Sequence, residues 1–184
     1  MPRTARSRAR LGVLTASLLI VSGCGGAEPA ALEPMEPEVP ADLCSTIPEA
    51  ARDGLVSNSN SDPTGNPTAA CSLRSPDASG DQVRAVVTWI QLNDDISADQ
   101  VLTSQCRSVD KTEYKEQAGF QPQGADRACA ATGTVDGADS ATIAAVANRE
   151  VVTVRFTSLP PGEPPALERA QLMLEGVLSS VAAG

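Results

Sequence analysis

The strongest constraint on the fold is a stretch of alternating residues near the end of the chain. In Glu150–Thr157 the side chains of Val152, Val154 and Phe156 recur at every second position, and Ala141–Ala147 is an apolar run of strand length. Only two residues separate the two runs. Two strands joined by so short a turn form an antiparallel hairpin. The chain therefore contains at least the centre of an antiparallel sheet.

Three further stretches predict strands of the same sheet. Gln82–Leu92 has apolar residues in both of its alternating sets, which predicts a central strand covered on both faces. Thr68–Ser75 and Arg127–Gly133 are shorter strand candidates. Asn58–Pro67 reads NSNSDPTGNP and has the composition of an exposed loop.

The helices predicted from the sequence complete the fold class. A first helix begins at Ser45 or Thr46 and ends near Val56, and a second covers about Ala98–Ser108. A last helix over about Pro165–Ala182 carries an apolar stripe that should lie across the sheet. The stripe consists of Leu167, Ala170, Leu174, Val177, Leu178 and Val181. We therefore predict an α+β domain with a mainly antiparallel sheet of about five strands and helices packed on it.

The beginning of the chain has the features of an export signal. Four arginines and no acidic residue precede the apolar run Leu11–Val21, which is shorter than the roughly 20 apolar residues of a membrane-spanning helix. Ser22 and Gly23 then precede Cys24, as in the bacterial lipobox, whose cysteine is diacylated and becomes residue one. We predict a lipoprotein signal peptide over 1–23 and a lipid anchor at Cys24 on the extracytoplasmic face of the cell membrane. An ordinary signal peptide with a chance cysteine is the alternative.

Residues 24–42 are predicted to be a disordered tether. This stretch contains four prolines and four glutamates in alternation. Proline favours the extended polyproline II conformation, and like charges repel one another along the chain. The segment should therefore hold a single domain, residues 43–184, at a distance from the lipid.

Four cysteines remain after the lipid anchor is set aside: Cys44, Cys71, Cys106 and Cys129. An even number in an exported chain predicts two disulfides. Three pairings are possible, and we favour Cys44 with Cys71 and Cys106 with Cys129. A zinc site is disfavoured because the chain has no histidine and no Cys-x-x-Cys pair. We predict no metal and no cofactor.

The charge of the chain limits its partners. Residues 1–23 hold four of the 14 basic residues and none of the 23 acidic ones, so the processed chain carries ten positive and 23 negative charges, a net −13. This balance offers no basic stripe for nucleic acid. Solubility at the cell surface explains the excess, and a cationic partner is the alternative.

Few residues in this sequence suggest catalysis. The absence of histidine removes the commonest general base. Two pairs of carboxylates, Asp94 with Asp95 and Asp136 with Asp139, could cleave a glycosidic bond or bind Ca²⁺. Turn and helix-capping roles fit these positions better. Trp89, the single tryptophan, could mark a ligand pocket, but its place in an apolar strand favours the core.

Several local features together resemble a known family. They are the lipobox, the acidic tether, Cys44-Ser45 before a helix, Cys71-Ser72-Leu73 at a strand, and Gly124-Ala125-Asp126-Arg127-Ala128 before another strand. The chain resembles small actinobacterial cell-envelope lipoproteins that are grouped as a domain of unknown function. The resemblance implies a PsbP-like or Mog-like α/β sandwich over Leu43–Gly184. It implies no catalytic residues.

Three functions are consistent with the sequence. The favoured hypothesis is a non-catalytic accessory or interaction domain, monomeric and anchored in the cell envelope, with a protein partner there. The alternative is a carrier for a small molecule or lipid, with its pocket between the sheet and the last helix. A carboxylate-dependent hydrolase is the third, and it requires the two pairs of aspartates to converge in one cleft.

Overall fold

A computed structural model describes residues 39–76, 82–109 and 114–181 of the chain. In these ranges four helices and seven strands follow one another. In chain order they are α1 (Leu43–Thr46), α2 (Glu49–Arg52), β1 (Val56–Asp62), β2 (Thr68–Arg74), β3 (Gln82–Gln91), α3 (Ala98–Val109), β4 (Tyr114–Glu116), β5 (Arg127–Val135), β6 (Ala138–Ala147), β7 (Glu150–Leu159) and α4 (Ala166–Val181).

The strands form one sheet in the order β1-β2-β3-β7-β6-β5-β4. Each neighbouring pair is antiparallel, so the predicted α+β class and the predicted hairpin of β6 and β7 are confirmed. The prediction of about five strands is wrong, because β1 and β4 extend the sheet to seven. Both are edge strands, and most of β1 lies in the stretch that is predicted above to be an exposed loop. Six of the seven residues of β1 are exposed, so backbone pairing with β2, rather than apolar burial, defines it.

The predicted first helix is also corrected. Two short helices, α1 and α2, replace the single helix expected from Ser45 or Thr46 to Val56. Ile47 lies between them in an extended conformation, as expected for a residue that precedes a proline. The cap of α1 is Asp42, whose carboxylate accepts a hydrogen bond from the Cys44 backbone N–H at 3.0 Å.

The main core lies on one side of the sheet, which we call the inner face. There α4 packs on β3, β5, β6 and β7, and α1 packs on β1 and β2. Trp89 and Phe156 are the largest fully buried side chains of this core. The predicted stripe of α4 faces this core, with Ala170, Leu174 and Val177 wholly inaccessible. Removing these apolar groups from water is the main source of stability, at about 25 cal/mol per Å².

A smaller core lies on the other side, the outer face. The helix α3 packs there on β5, β6 and β7. The buried members of this cluster are Leu92, Leu102, Ala144, Val146 and Val151. The sheet is thus covered on both sides only where α3 reaches.

Each core contains one disulfide, and both predicted pairings are confirmed. Cys44 in α1 is bonded to Cys71 in β2 on the inner face. Cys106 in α3 is bonded to Cys129 in β5 on the outer face. The cross-links span 27 and 23 residues. Each should stabilise the fold by about 3–4 kcal/mol through the lost entropy of the unfolded chain.

A glycine sets the distance between α4 and the start of the domain. A Cβ atom at Gly176 would lie 2.4 Å from the Cδ atom of Pro48 and 2.8 Å from the Thr46 carbonyl oxygen. No real Cβ contact is that short, so the helix and the α1–α2 connection must separate to admit a side chain. This close approach needs glycine inside a helix that would otherwise disfavour it.

Gly176→Ala should therefore destabilise the domain. Alanine normally strengthens a helix by about 1 kcal/mol relative to glycine, whereas overpacking typically costs about 1–3 kcal/mol. We expect a net loss of stability and a lower midpoint of thermal unfolding by circular dichroism. Ser179→Ala is the matched control, because the Ser179 side chain is exposed and bonds only within α4. A Gly176→Ala variant more stable than the wild type would show that the two segments separate easily.

Candidate functional site: an open sheet face

The outer face of the sheet is left uncovered beyond the end of α3. The uncovered region consists of alternate residues in β2, β3 and β7 together with the edge strand β1. We call this region the open face. Its central residues are Ser72, Arg74, Arg84, Val86, Thr88, Thr153, Arg155 and Thr157.

Three arginines lie together on the open face. Arg74 pairs directly across from Arg84, and Arg155 lies on the next strand, diagonal to Arg84. All three are exposed. Within the described part of the chain neither Arg84 nor Arg155 forms an ion pair, while Arg74 has a contact of its own. Like charges on neighbouring strands repel and destabilise the sheet. A positive cluster is therefore unexpected on structural grounds in a chain of net charge −9.

An exposed apolar residue lies among these charges. Val86 is 42% exposed and pairs directly across from Arg155. Beside it the Thr88 and Thr153 hydroxyls are in hydrogen-bond contact with each other. The expectation that β3 is covered on both faces is therefore wrong for this part of the strand, because α3 does not extend over it.

The open face continues into a shallow depression towards the far end of β1. The depression has a volume of about 270 Å³, and Ala70, Thr88 and Ile90 form part of its floor. Asp62 lies at its rim. The side-chain hydroxyl of Thr64 and then its backbone N–H donate to the Asp62 carboxylate and lower its pKa. The open face is thus positive at one end and negative at the other.

A second cavity, of about 360 Å³, lies where α3 meets β5. Leu102 and the disulfide between Cys106 and Cys129 form its apolar part, and Arg107 and Glu116 contribute charges. Cavities of roughly 300–1,000 Å³ are the size that binds small molecules. This cavity is on the outer face.

The carrier hypothesis places its pocket elsewhere, between the sheet and the last helix. There four inward side chains of α4 have no accessible surface: Ala170, Met173, Leu174 and Val177 are at 0%. Side chains without accessible surface cannot line a cavity that admits even a water molecule. The described residues therefore fill this interface.

The aspartates proposed for hydrolysis lie at opposite ends of the sheet. Asp94 forms an exposed ion pair at 3.3 Å with Arg149, just beyond one end of β6. Asp136 lies in the turn before β6, and the Asp139 carboxylate accepts a hydrogen bond at 2.8 Å from the N–H of Ala166, the first residue of α4. Because β6 has ten residues, its ends are about 30 Å apart. The two pairs do not converge, and Asp139 caps a helix.

Other residues singled out in the sequence have structural positions. Trp89 is 1% exposed and belongs to the core, as predicted. In the family-like motif, the Asp126 carboxylate accepts from the Asn148 N–H at 2.7 Å, and a Cβ atom at Gly124 would lie 3.4 Å from the Leu178 Cβ atom. Cys24 lies outside the described residues, as does the predicted signal peptide. Among the residues that the structure describes, no three potential ligands come together to hold a metal ion.

Sequence reasoning missed the open face. The signal was present in β3, where Arg84, Val86 and Thr88 form the alternate set opposite to Val87 and Trp89. A strand with apolar residues in both sets was interpreted as buried on both sides. One arginine and one threonine in the second set indicated a partly exposed face instead.

A half-buried carboxylate lies at the end of the inner core. Glu150 pairs across from Gln91 and lies next to the Trp89 indole, whose Nε1 has no hydrogen-bond partner of standard geometry among the described residues. Burial raises the pKa of Glu150 above its ordinary value of 4.5, and the indole opposes part of this effect. The folded chain therefore holds this proton more tightly than the unfolded chain.

The raised pKa of Glu150 predicts a pH dependence of stability. The contribution of Glu150 should be most favourable below pH 4.5 and should decline as the pH rises through its raised folded-state pKa. Glu150→Gln should therefore raise the midpoint of thermal unfolding at about pH 7 and have little effect at about pH 4. Glu116→Gln, at an exposed position, is the control. An equal effect of Glu150→Gln at both pH values would contradict this assignment.

Comparison with protein-family models, curated proteins and solved structures gives no match for this chain. Within the described ranges, no helix is both long enough and apolar enough to cross a membrane. The two disulfides indicate an oxidising, extracytoplasmic compartment.

Proposed function

We propose that the chain is a lipoprotein anchored through diacylated Cys24 on the extracytoplasmic side of the cell membrane, and that its domain is a non-catalytic accessory module that binds an envelope protein. The open face is the observation that carries this proposal. It combines Arg84 and Arg155, which form no ion pair with any described residue, with the exposed Val86, outside the part of the sheet that α3 covers. Arginine is enriched at protein interfaces, where its planar guanidinium binds carboxylates with two hydrogen bonds.

The architecture supports the same proposal. The open face belongs to β2, β3 and β7, whose opposite sides are buried in the inner core, and the Cys44–Cys71 disulfide ties β2 to α1. A rigid surface loses little conformational entropy on binding. We also infer a PsbP-like or Mog-like sandwich of the actinobacterial lipoprotein type. A sheet with α4 on one face and α3 on the other is consistent with it.

A small-molecule carrier is the second candidate function. The cavity between α3 and β5 favours it, since its size and its mixture of apolar and charged groups suit a small ligand. In this form of the hypothesis the ligand lies next to the disulfide of Cys106 and Cys129 rather than under α4.

The anchor predicts where the protein is found in cells. Cys24→Ala should remove the acylated thiol and shift the protein from the membrane fraction to the soluble or secreted fraction. Two acyl chains hold a protein stably at a membrane, whereas an unacylated chain lacks that affinity. Ser22→Ala keeps a small residue before the cysteine and is the matched control. Continued membrane attachment of the Cys24→Ala variant would contradict the anchor.

The interaction surface predicts a site-specific cross-link. A photo-reactive amino acid at Val86, on the open face, should give a discrete adduct with an envelope protein when intact cells are irradiated. The same group at Leu172, which is 37% exposed on α4, is the control and should give no such adduct. Combining the Val86 probe with Arg84→Glu and Arg155→Glu should abolish the adduct. Equal labelling from both positions, or none from Val86, would contradict the proposed function.

A further inference from the structure

We infer that the open face binds an acidic, extended protein segment whose carboxylates are two residues apart. This inference rests on the proposed function and names the chemistry of its partner. The argument uses Arg84, Arg155 and their apolar surroundings.

The charges select an anionic partner. Arg84 and Arg155 are exposed, and neither is neutralised by a carboxylate of the described residues. By contrast, two other arginines form ion pairs within the domain: Arg127 pairs with Asp99, and Arg149 pairs with Asp94. A guanidinium presents parallel N–H donors that match the two oxygens of a carboxylate. An acidic segment would supply the counter-charges that the described residues do not provide for Arg84 and Arg155.

The spacing of the arginines selects an extended segment. Arg84 pairs with Thr157, and Arg155 is two residues from Thr157 on the same strand. Diagonal neighbours of this kind are about 7–8 Å apart. In an extended peptide, residues i and i+2 point to the same side and are about 6.6–6.8 Å apart. Two acidic residues separated by one residue would therefore meet both arginines at once, whereas adjacent acidic residues would point to opposite sides.

Val86 provides the apolar contact for the segment. It pairs directly across from Arg155 and lies two residues from Arg84 on β3, so an apolar residue close to the acidic pair can pack on it. The depression with Ala70 and Ile90 lies on the β2 side of β3, away from the line through the two arginines. Asp62 in its lining would repel an acidic residue there. The recognised pattern is therefore acidic, any, acidic, with an apolar residue close to the pair.

A binding assay with a designed peptide tests this inference. The protein is the processed chain from Cys24 to Gly184 with Cys24→Ser. The probe is the acetylated, amidated peptide Gly-Glu-Thr-Glu-Thr-Val-Gly, and the reference peptide has Gln in place of both Glu residues. We expect the acidic peptide to shift the backbone NMR signals of residues 84–88 and 153–157. We expect at least tenfold weaker binding of the reference peptide and weaker binding at about 300 mM than at about 50 mM salt.

Protein variants complete the assay. Arg84→Gln and Arg155→Gln should each weaken peptide binding several-fold, and the double variant should abolish it. Arg107→Gln, on the α3 side of the outer face, should leave binding unchanged. Unchanged NMR spectra away from the open face would show that the variants are folded. Equal binding of the two peptides, or signal shifts centred elsewhere, would overturn the inference.

Anionic lipid is the competing anion. If vesicles of phosphatidylglycerol bind the protein through Arg84 and Arg155 while the acidic peptide does not, the open face is a membrane contact and the inference is wrong. Mapping the Val86 photo-adduct by mass spectrometry separates this inference from the proposed function. An adduct on a partner segment without the acidic pattern would overturn the inference alone, and peptide binding without any adduct in cells would overturn the proposed function alone.

Discussion

Packing of α4 against the inner face of β3, β7 and β6 is the interaction on which the rest of the domain depends. It removes most of the large apolar side chains from water, including Trp89 and Phe156. It also holds both termini of the domain, because Gly176 brings α4 against the α1–α2 connection. The Cys44–Cys71 disulfide then ties that connection to β2. A helix packed on β3, β5, β6 and β7 by apolar contact thus determines which face of the sheet is inside.

The outer face can carry charged side chains because apolar burial on the inner face already stabilises the fold. The helix α3 has 12 residues and is therefore about 18 Å long, whereas seven strands span roughly 29 Å from edge to edge. A helix of that length covers only part of the sheet. The Cys106–Cys129 disulfide fixes it on the β5 side, which leaves the arginines of β3 and β7 in water.

Periodicity predicted the elements whose burial follows a simple rule. The strand β7 buries mainly one alternating set and α4 buries one stripe, so their sequences show the period of two or about 3.6. The strand β6 is buried on both faces and appears in the sequence as an apolar run. The edge strand β1 has no such pattern, because its pairing with β2 is made by backbone groups and its side chains are exposed. The first helix was predicted too long since Pro48 interrupts it, and Asp42 rather than Ser45 caps it. The candidate site could not be predicted, because Arg84 and Arg155 are 71 positions apart and meet only through the pairing of β3 with β7.

The sequence by itself determined the fold class, the disulfide-forming chemistry of the cysteines and the expectation of an exported, anchored chain. These properties depend on local composition and on periodicity, and both can be read from consecutive residues of the sequence. The tertiary structure alone decided which charges become neighbours and which face stays open. Those outcomes depend on strand order and on the length and position of α3. They separate the two pairs of aspartates and bring Arg84 and Arg155 together.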